Sequence, residues 1–277
     1  MTGDYLKLLF PQWQGSGIKD DLYRGALLIR DRLLSEEKIV QVNIETDSTL
    51  SVENNIFGYS QILKQLRNAV QLLKETLPKK IFTIGGDCGV EIAPVSFLNK
   101  IYANDIAVLW FDAHGDLNTP EASSSKLFHG MPLSYLIGEE ANEIQQNCFS
   151  RIAPSQILFA GTRDLDAYEE SYIREKSISV ITVKEISENK NRIIELLKLK
   201  SYKKIYIHID LDVLEPDSFP YVMCPSPNGI DMILLLELLE SIKRHFIIIG
   251  LSIVEFLPLE AKGTEHLREL IKFGCTI

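Results

Sequence analysis

The stretch VLWFDAHGDLNT, Val108 to Thr119, decides the fold. It begins as an unbroken apolar run and then sets Asp112, His114 and Asp116 at alternate positions. A run that is apolar on both faces suits a central strand of a parallel sheet, which helices cover on either side. Three ionisable groups have no place in such a core. They belong at the carboxyl end of the strand, where open parallel sheets build their sites. A period of two within DAHGD turns the three polar groups to one face and Ala113 to the other.

Similar runs lie on both sides of this stretch. LKLLF (6–10), KIVQVNI (38–44), KIFTIGG (80–86), QILFAG (156–161), ISVITV (178–183), KIYIHIDLD (204–212) and FIIIGLSIVEF (246–256) are rich in strand-forming residues. Between them fall helical patterns. In YSQILKQLRNAVQLLKETL the residues Ile62, Leu66, Val70 and Leu73 form one apolar stripe, and DMILLLELLESIKRH and NRIIELLKLK are patterned alike. Strands alternating with helices predict an α/β fold. The expectation is a single three-layer α/β/α domain over residues 1–277, with a mostly parallel sheet of about eight strands. No Pro/Gly/Ser-rich linker divides the chain.

The 277 residues are 45% hydrophobic and 24% charged, an ordinary globular composition. A net charge of -9 argues against a nucleic-acid binder, and no Lys/Arg cluster or stripe contradicts that. The longest apolar run ends at Glu255 and is too short to span a bilayer. MTGDYLKLLF carries no secretion pattern, and Cys88, Cys148, Cys224 and Cys275 have no framework spacing. A cytoplasmic protein with reduced thiols is expected.

Four strands deliver polar groups to one sheet edge. They are GGDC (85–88), DAHGD (112–116), DLD (210–212) and the strand ending at Glu255. Clustered carboxylates repel unless something compensates them. A pair of divalent cations does so, and carboxylate-rich, imidazole-poor ligation suits Mn²⁺. Two such ions roughly 3.5 Å apart activate a shared water. A single Asp or His at a strand end is more often a loop hydrogen-bonder; two motifs ending apolar strands in one chain weigh toward a shared site.

With GGDC, DAHGDLNTP (112–120), HGMPL (129–133), GTRDLD (161–166), HIDLDVLEP (208–216) and VEF (254–256) in this order, the chain resembles the arginase/agmatinase family, the ureohydrolases. The resemblance implies one Mn²⁺ on Cys88, Asp112, Asp116 and Asp210, and a second on His114, Asp112, Asp210 and Asp212. It implies that Asp116 also orients the attacking hydroxide. Glu255 would pair with a guanidinium, and His129 would relay protons to the leaving amine. Asn118, Ser123 and Ser125 match positions that grip an amino-acid carboxylate, and Asp166 the acid that meets an α-amino group.

Two residues need separate treatment. The family motif at 85–88 is GGDH, and Cys stands here at 88. Cys88 is a buried small residue, a thiolate ligand favouring Zn or Fe, or the mark of a weakened first site. His208 shares the parity of Asp210 and Asp212. It supports the site from behind or packs inward.

The expected activity is metal-dependent hydrolysis of a guanidino compound, with L-arginine favoured, giving urea and ornithine. Agmatinase, guanidinobutyrase and formimidoylglutamase chemistry are the alternatives, since Leu127 stands where arginases carry asparagine. A catalytically weakened regulatory protein is the non-enzyme alternative. The resemblance also implies a homo-oligomer, trimer or hexamer.

Overall fold

The computed structural model describes residues 4–17, 19–46 and 49–277. Eight strands form one sheet: β1 (Tyr5–Phe10), β2 (Val40–Gln41), β3 (Lys80–Gly85), β4 (Ala107–Phe111), β5 (Ile157–Ala160), β6 (Ser179–Ile181), β7 (Lys204–Asp210) and β8 (Ile247–Val254). Their spatial order is β2-β1-β3-β8-β7-β4-β5-β6, and every pairing is parallel. Each expected run supplies one strand. The run at 38–44 keeps only Val40 and Gln41 in the ladder, at the sheet edge, paired with Leu8 and Leu9.

Side-chain alternation along the strands splits the core in two. Val108, Trp110, Phe159 and Tyr206 pack on one face with helices α1 (Tyr59–Thr76) and α2 (Ile92–Ile101). Leu109, Phe111, Ile207 and Leu251 pack on the other with α3 (Arg192–Leu199) and α4 (Met232–His245). This is the three-layer arrangement that uncharged, two-faced strands require. The stripe of Ile62, Leu66, Val70 and Leu73 is buried as its spacing predicts. Among the described residues no helix is long and apolar enough to cross a membrane.

Two local features depart from the expected pattern. Val52–Glu53 and Ile56–Phe57 form a small antiparallel hairpin. Its turn residues Asn54 and Asn55 have φ of 51° and 57°, the left-handed pair that a tight two-residue hairpin needs. The second departure concerns the site. β4 stops at Phe111, so strand alternation does not place Asp112, His114 and Asp116. They lie in a loop, and Asp116 has φ of 52°. Asp212 lies in a one-turn helix, Leu211–Val213, capped by the Asp210 carboxylate accepting from Asp212 N. Loop and turn geometry, not the period of two, brings these acids together.

Candidate metal centre

The four strands that end in polar groups, β3, β8, β7 and β4, are consecutive neighbours in the sheet. Their carboxyl ends therefore converge. After β3 the chain passes Gly86, where a Cβ would lie 1.8 Å from the Gln12 carbonyl oxygen, so no side chain fits. Asp87 is buried and accepts from Gln12 Nε2 (2.9 Å), Gly15 N (2.8 Å) and Gly89 N (2.9 Å). Burial and the charge of Glu255 push its carboxyl up to about 6, against the Gln12 hydrogen bond. It braces the turn that carries Cys88.

Cys88 Sγ lies 3.0 Å from Asp210 Oδ2, and Cys88 N donates to Glu255 Oε1 at 3.2 Å. Burial and the charge of Asp210 push this thiol well up. Asp112 is fully buried; Oδ1 accepts from His114 N (2.6 Å) and Oδ2 from Trp110 Nε1 (3.0 Å). Burial opposes its charge, but His114 and His208 hold its carboxyl below the usual range. His114 Nδ1 stands 2.9 Å from Asp212 Oδ2 and 3.5 Å from Asp112 Oδ1. Against burial, Asp112 and Asp212 raise this imidazole well above its ordinary value. Burial and Asp112 push Asp212 up to about 6; burial, Asp112 and Asp210 push Asp116 well up.

Two carboxylate oxygens in this cluster, Asp116 Oδ2 and Glu255 Oε2, are buried without a partner. Both residues sit at left-handed φ, 52° and 62°. Among the described residues, Asp112, Asp212 and Glu255 pair with histidines and with no lysine or arginine. Arg163 is near, but its guanidinium donates to the carbonyls of Gly161, Asp212, Val213, Ser226 and Pro227. Orphaned oxygens and uncompensated acids are the donor set that divalent cations complete. Three groups of donor atoms, each within 4.8 Å of one another, occur here: Cys88, Asp112, Asp116 and His208; Cys88, Asp210 and Glu255; Asp112, His114 and Asp212.

A cavity of about 230 Å³ opens above the cluster. Its wall includes His114, Asp116, His129, Asp210, Asp212 and Glu255, and further out Asn118, Asp164, Asp166 and Glu169. His129 Nδ1 lies 3.4 Å from Glu255 Oε1; against burial, that carboxylate raises the imidazole. Asn118 Nδ2 donates to Asp166 Oδ2 at 2.8 Å. Glu169 accepts from Leu117 N (3.2 Å) and Asp166 N (3.2 Å), and burial pushes it up to about 7. Ser123 and Ser125 do not line the cavity. Their hydroxyls accept from Lys126 N and Leu127 N and stiffen the loop.

His208 belongs to the donor cluster itself, a membership that its parity with Asp210 signals only weakly. Glu91 behind it and Cys224 in the cavity wall carry no sequence pattern that singles them out.

A family model described as the arginase family matches residues 23–270. The chain belongs to the arginase family. It is 31% identical over 232 residues to an arginase of Staphylococcus aureus, covering 80% of this chain and 75% of that one. The fold superimposes on Entamoeba histolytica arginase, crystallised with L-ornithine, with a TM-score of 0.88, 22% identity and full coverage of both chains. It also resembles a formimidoylglutamase of Bacillus subtilis, with a TM-score of 0.74 and 19% identity over 98% of this chain and 85% of that one. As an arginase-family member the protein is a hydrolase, of the class that acts on guanidino C–N bonds.

Proposed function

We propose that this arginase-family hydrolase cleaves L-arginine to urea and ornithine. The observation that carries this reading is the cavity: seven of its twelve lining residues are acids, and one of them, Glu255, keeps a buried oxygen without a partner. A buried carboxylate at the base of an acidic cavity selects a planar cation such as guanidinium. Two divalent cations fit the acids below it, and Mn²⁺ suits the Asp112, His114 and Asp212 set. When bound, such cations acidify a water toward neutral pH.

The remaining steps belong to the chain. Glu255 holds the guanidinium by its N–H groups, with the central carbon toward Asp116. Asp116 Oδ2 accepts a hydrogen bond from the attacking water and orients it. As the tetrahedral carbon collapses, the C–N bond to the side chain breaks, and His129 gives a proton to the departing amine. Urea and ornithine result. Asp166, steadied by Asn118, meets the α-ammonium at the mouth. Ser123 and Ser125 shape the loop on this reading and do not grip the carboxylate directly. The chain acts as one domain, and assembly into trimers or hexamers belongs to the same proposal.

One observation favours a second reading. Among the described residues, no lysine or arginine lines the cavity. A decarboxylated guanidino amine such as agmatine therefore loses nothing in charge pairing at the mouth. The test is urea release from arginine, agmatine and guanidinobutyrate, and formamide release from formimidoylglutamate, with Mn²⁺ present. Turnover of arginine with the highest kcat/KM supports the first reading. Silence with every compound overturns both.

A further inference from the structure

His208 lies on β7, two residues before Asp210, and is fully buried. Its ring stacks on Trp110, with centroids 3.6 Å apart and planes at 18°, so the imidazole is fixed in orientation. On one edge Nδ1 shares a hydrogen bond with Ser252 Oγ at 3.4 Å and stands at ion-pair distance, 3.1 Å, from Glu91 Oε1, an oxygen with no other partner. Glu91 is itself buried, with no lysine or arginine paired to it among the described residues. The other edge looks into the site. Nε2 lies 3.7 Å from Asp112 Oδ2 and 3.9 Å from Cys88 Sγ. The first is longer than a nitrogen–oxygen hydrogen bond, and the second is at the long end of a contact to sulfur. Both fit the edge between two donors on one ion, since each donor stands roughly 2.0–2.3 Å from a bound metal. One atom each from His208, Cys88, Asp112 and Asp116 lies within 4.8 Å of the others.

We propose that His208 is a ligand of the first cation, binding through Nε2, with Cys88 supplying sulfur and Asp112 and Asp116 supplying oxygen. The inference goes beyond the proposed activity but rests on its reading that a cation is held here. Glu91 is the reason that Nε2 is the free nitrogen. A carboxylate on Nδ1 holds the proton there, fixes the tautomer and raises ligand basicity, as the carboxylate–histidine–metal arrangement does elsewhere. The imidazole absent from position 88 thus enters from the adjacent part of the cluster, across β8. An ion with one sulfur and one imidazole donor is held in softer surroundings than its neighbour. This first site therefore favours Co²⁺ or Zn²⁺ over Mn²⁺ by a wider margin than the oxygen-rich Asp112, His114 and Asp212 site does.

The test loads the full chain with Co²⁺ after chelation. X-ray absorption on the wild type should show two imidazoles and one sulfur per two ions, because His114 and His208 both bind. One imidazole per two ions overturns the inference and leaves the two-cation reading standing. Titration calorimetry and metal analysis of His208→Ser should show one tight Co²⁺ per chain, against two for the wild type. Glu91→Gln, which leaves every proposed donor in place, should weaken the first Co²⁺ by about 10–100-fold. Two equally tight ions in His208→Ser overturn the proposal. A wild type that binds no Co²⁺ overturns both the inference and the cation reading beneath it.

Discussion

Nδ1 of His129 stands 3.4 Å from Oε1 of Glu255, while the other oxygen of that carboxylate has no partner. One oxygen thus holds the imidazole, and the second stays open to the cavity. Burial alone lowers an imidazole pKa; here the carboxylate reverses the sign and raises it. Glu255→Gln should therefore lower the His129 titration midpoint in an NMR pH series on metal-free protein. An unchanged or higher midpoint would mean that the pair does not set the protonation of His129.

Without cations, the acid cluster makes stability depend on pH. Asp212 titrates at about 6 when folded, and Asp116 and Asp210 are also raised. The unfolded chain releases these protons near pH 4. Their contribution to stability is thus full below about 4; that of Asp212 is lost as pH rises through about 6, and those of Asp116 and Asp210 fall in the same direction. Raised His114 adds a loss in the same direction above pH 6.5, and lowered Asp112 adds none between pH 5 and 8. The melting temperature in chelator should fall from pH 5 to pH 8, and less steeply in Asp212→Asn. Added Mn²⁺ or Co²⁺ should restore it, by about 2.7 kcal/mol at a hundredfold excess over Kd. A metal-free protein more stable at pH 8 than at pH 5 would contradict this.

Left-handed backbone at Glu255 carries a cost that its side chain justifies. The conformation disfavours any residue with a Cβ by roughly 1–2 kcal/mol. Glu255→Ala and Glu255→Gly both remove the charge and differ only in that Cβ. The glycine variant should resist urea better by about 1 kcal/mol. Equal stability of the two would show that φ of 62° is unstrained here.

Gly86 has no room at all. A methyl group 1.8 Å from a backbone oxygen cannot be accommodated by side-chain rotation. Gly86→Ala should lower stability by on the order of 3 kcal/mol, read from urea midpoints, as overpacking in a tight core does. It should also loosen Asp87 and with it Cys88. A near-neutral effect would mean that the segment at Gln12 gives way freely.

Much of this architecture is legible in the residues. Runs such as VLWF and ILFA are apolar at every position because two helix layers cover them, so each strand announces itself. Asp112 and Asp210 are equally plain, since a carboxylate directly after such a run has nowhere else to go. The route to Asp116 is not, because its placement depends on a left-handed turn that no apolar period encodes. Asn54–Asn55 carries the same kind of signal in a hairpin too short to show alternation. Ser123 and Ser125 match substrate-gripping positions by order along the loop, yet their hydroxyls satisfy local N–H groups first. Glu91 stays hidden because it reaches His208 across the fold from a one-turn helix.

The sheet order has a kinetic consequence. β3, β8, β7 and β4 are neighbours in space, but their donors are widely separated along the chain, around residues 88, 112, 210 and 255. No short segment brings two of these strand ends together early. Loop-closure entropy must be overcome before parallel pairing gives anything back, and such topologies acquire native contacts late. In a refolding experiment, cation uptake should lag behind helix formation and coincide with completion of the central four strands. The ion then acts as a clock hand for the final docking of the sheet, with no part in starting it.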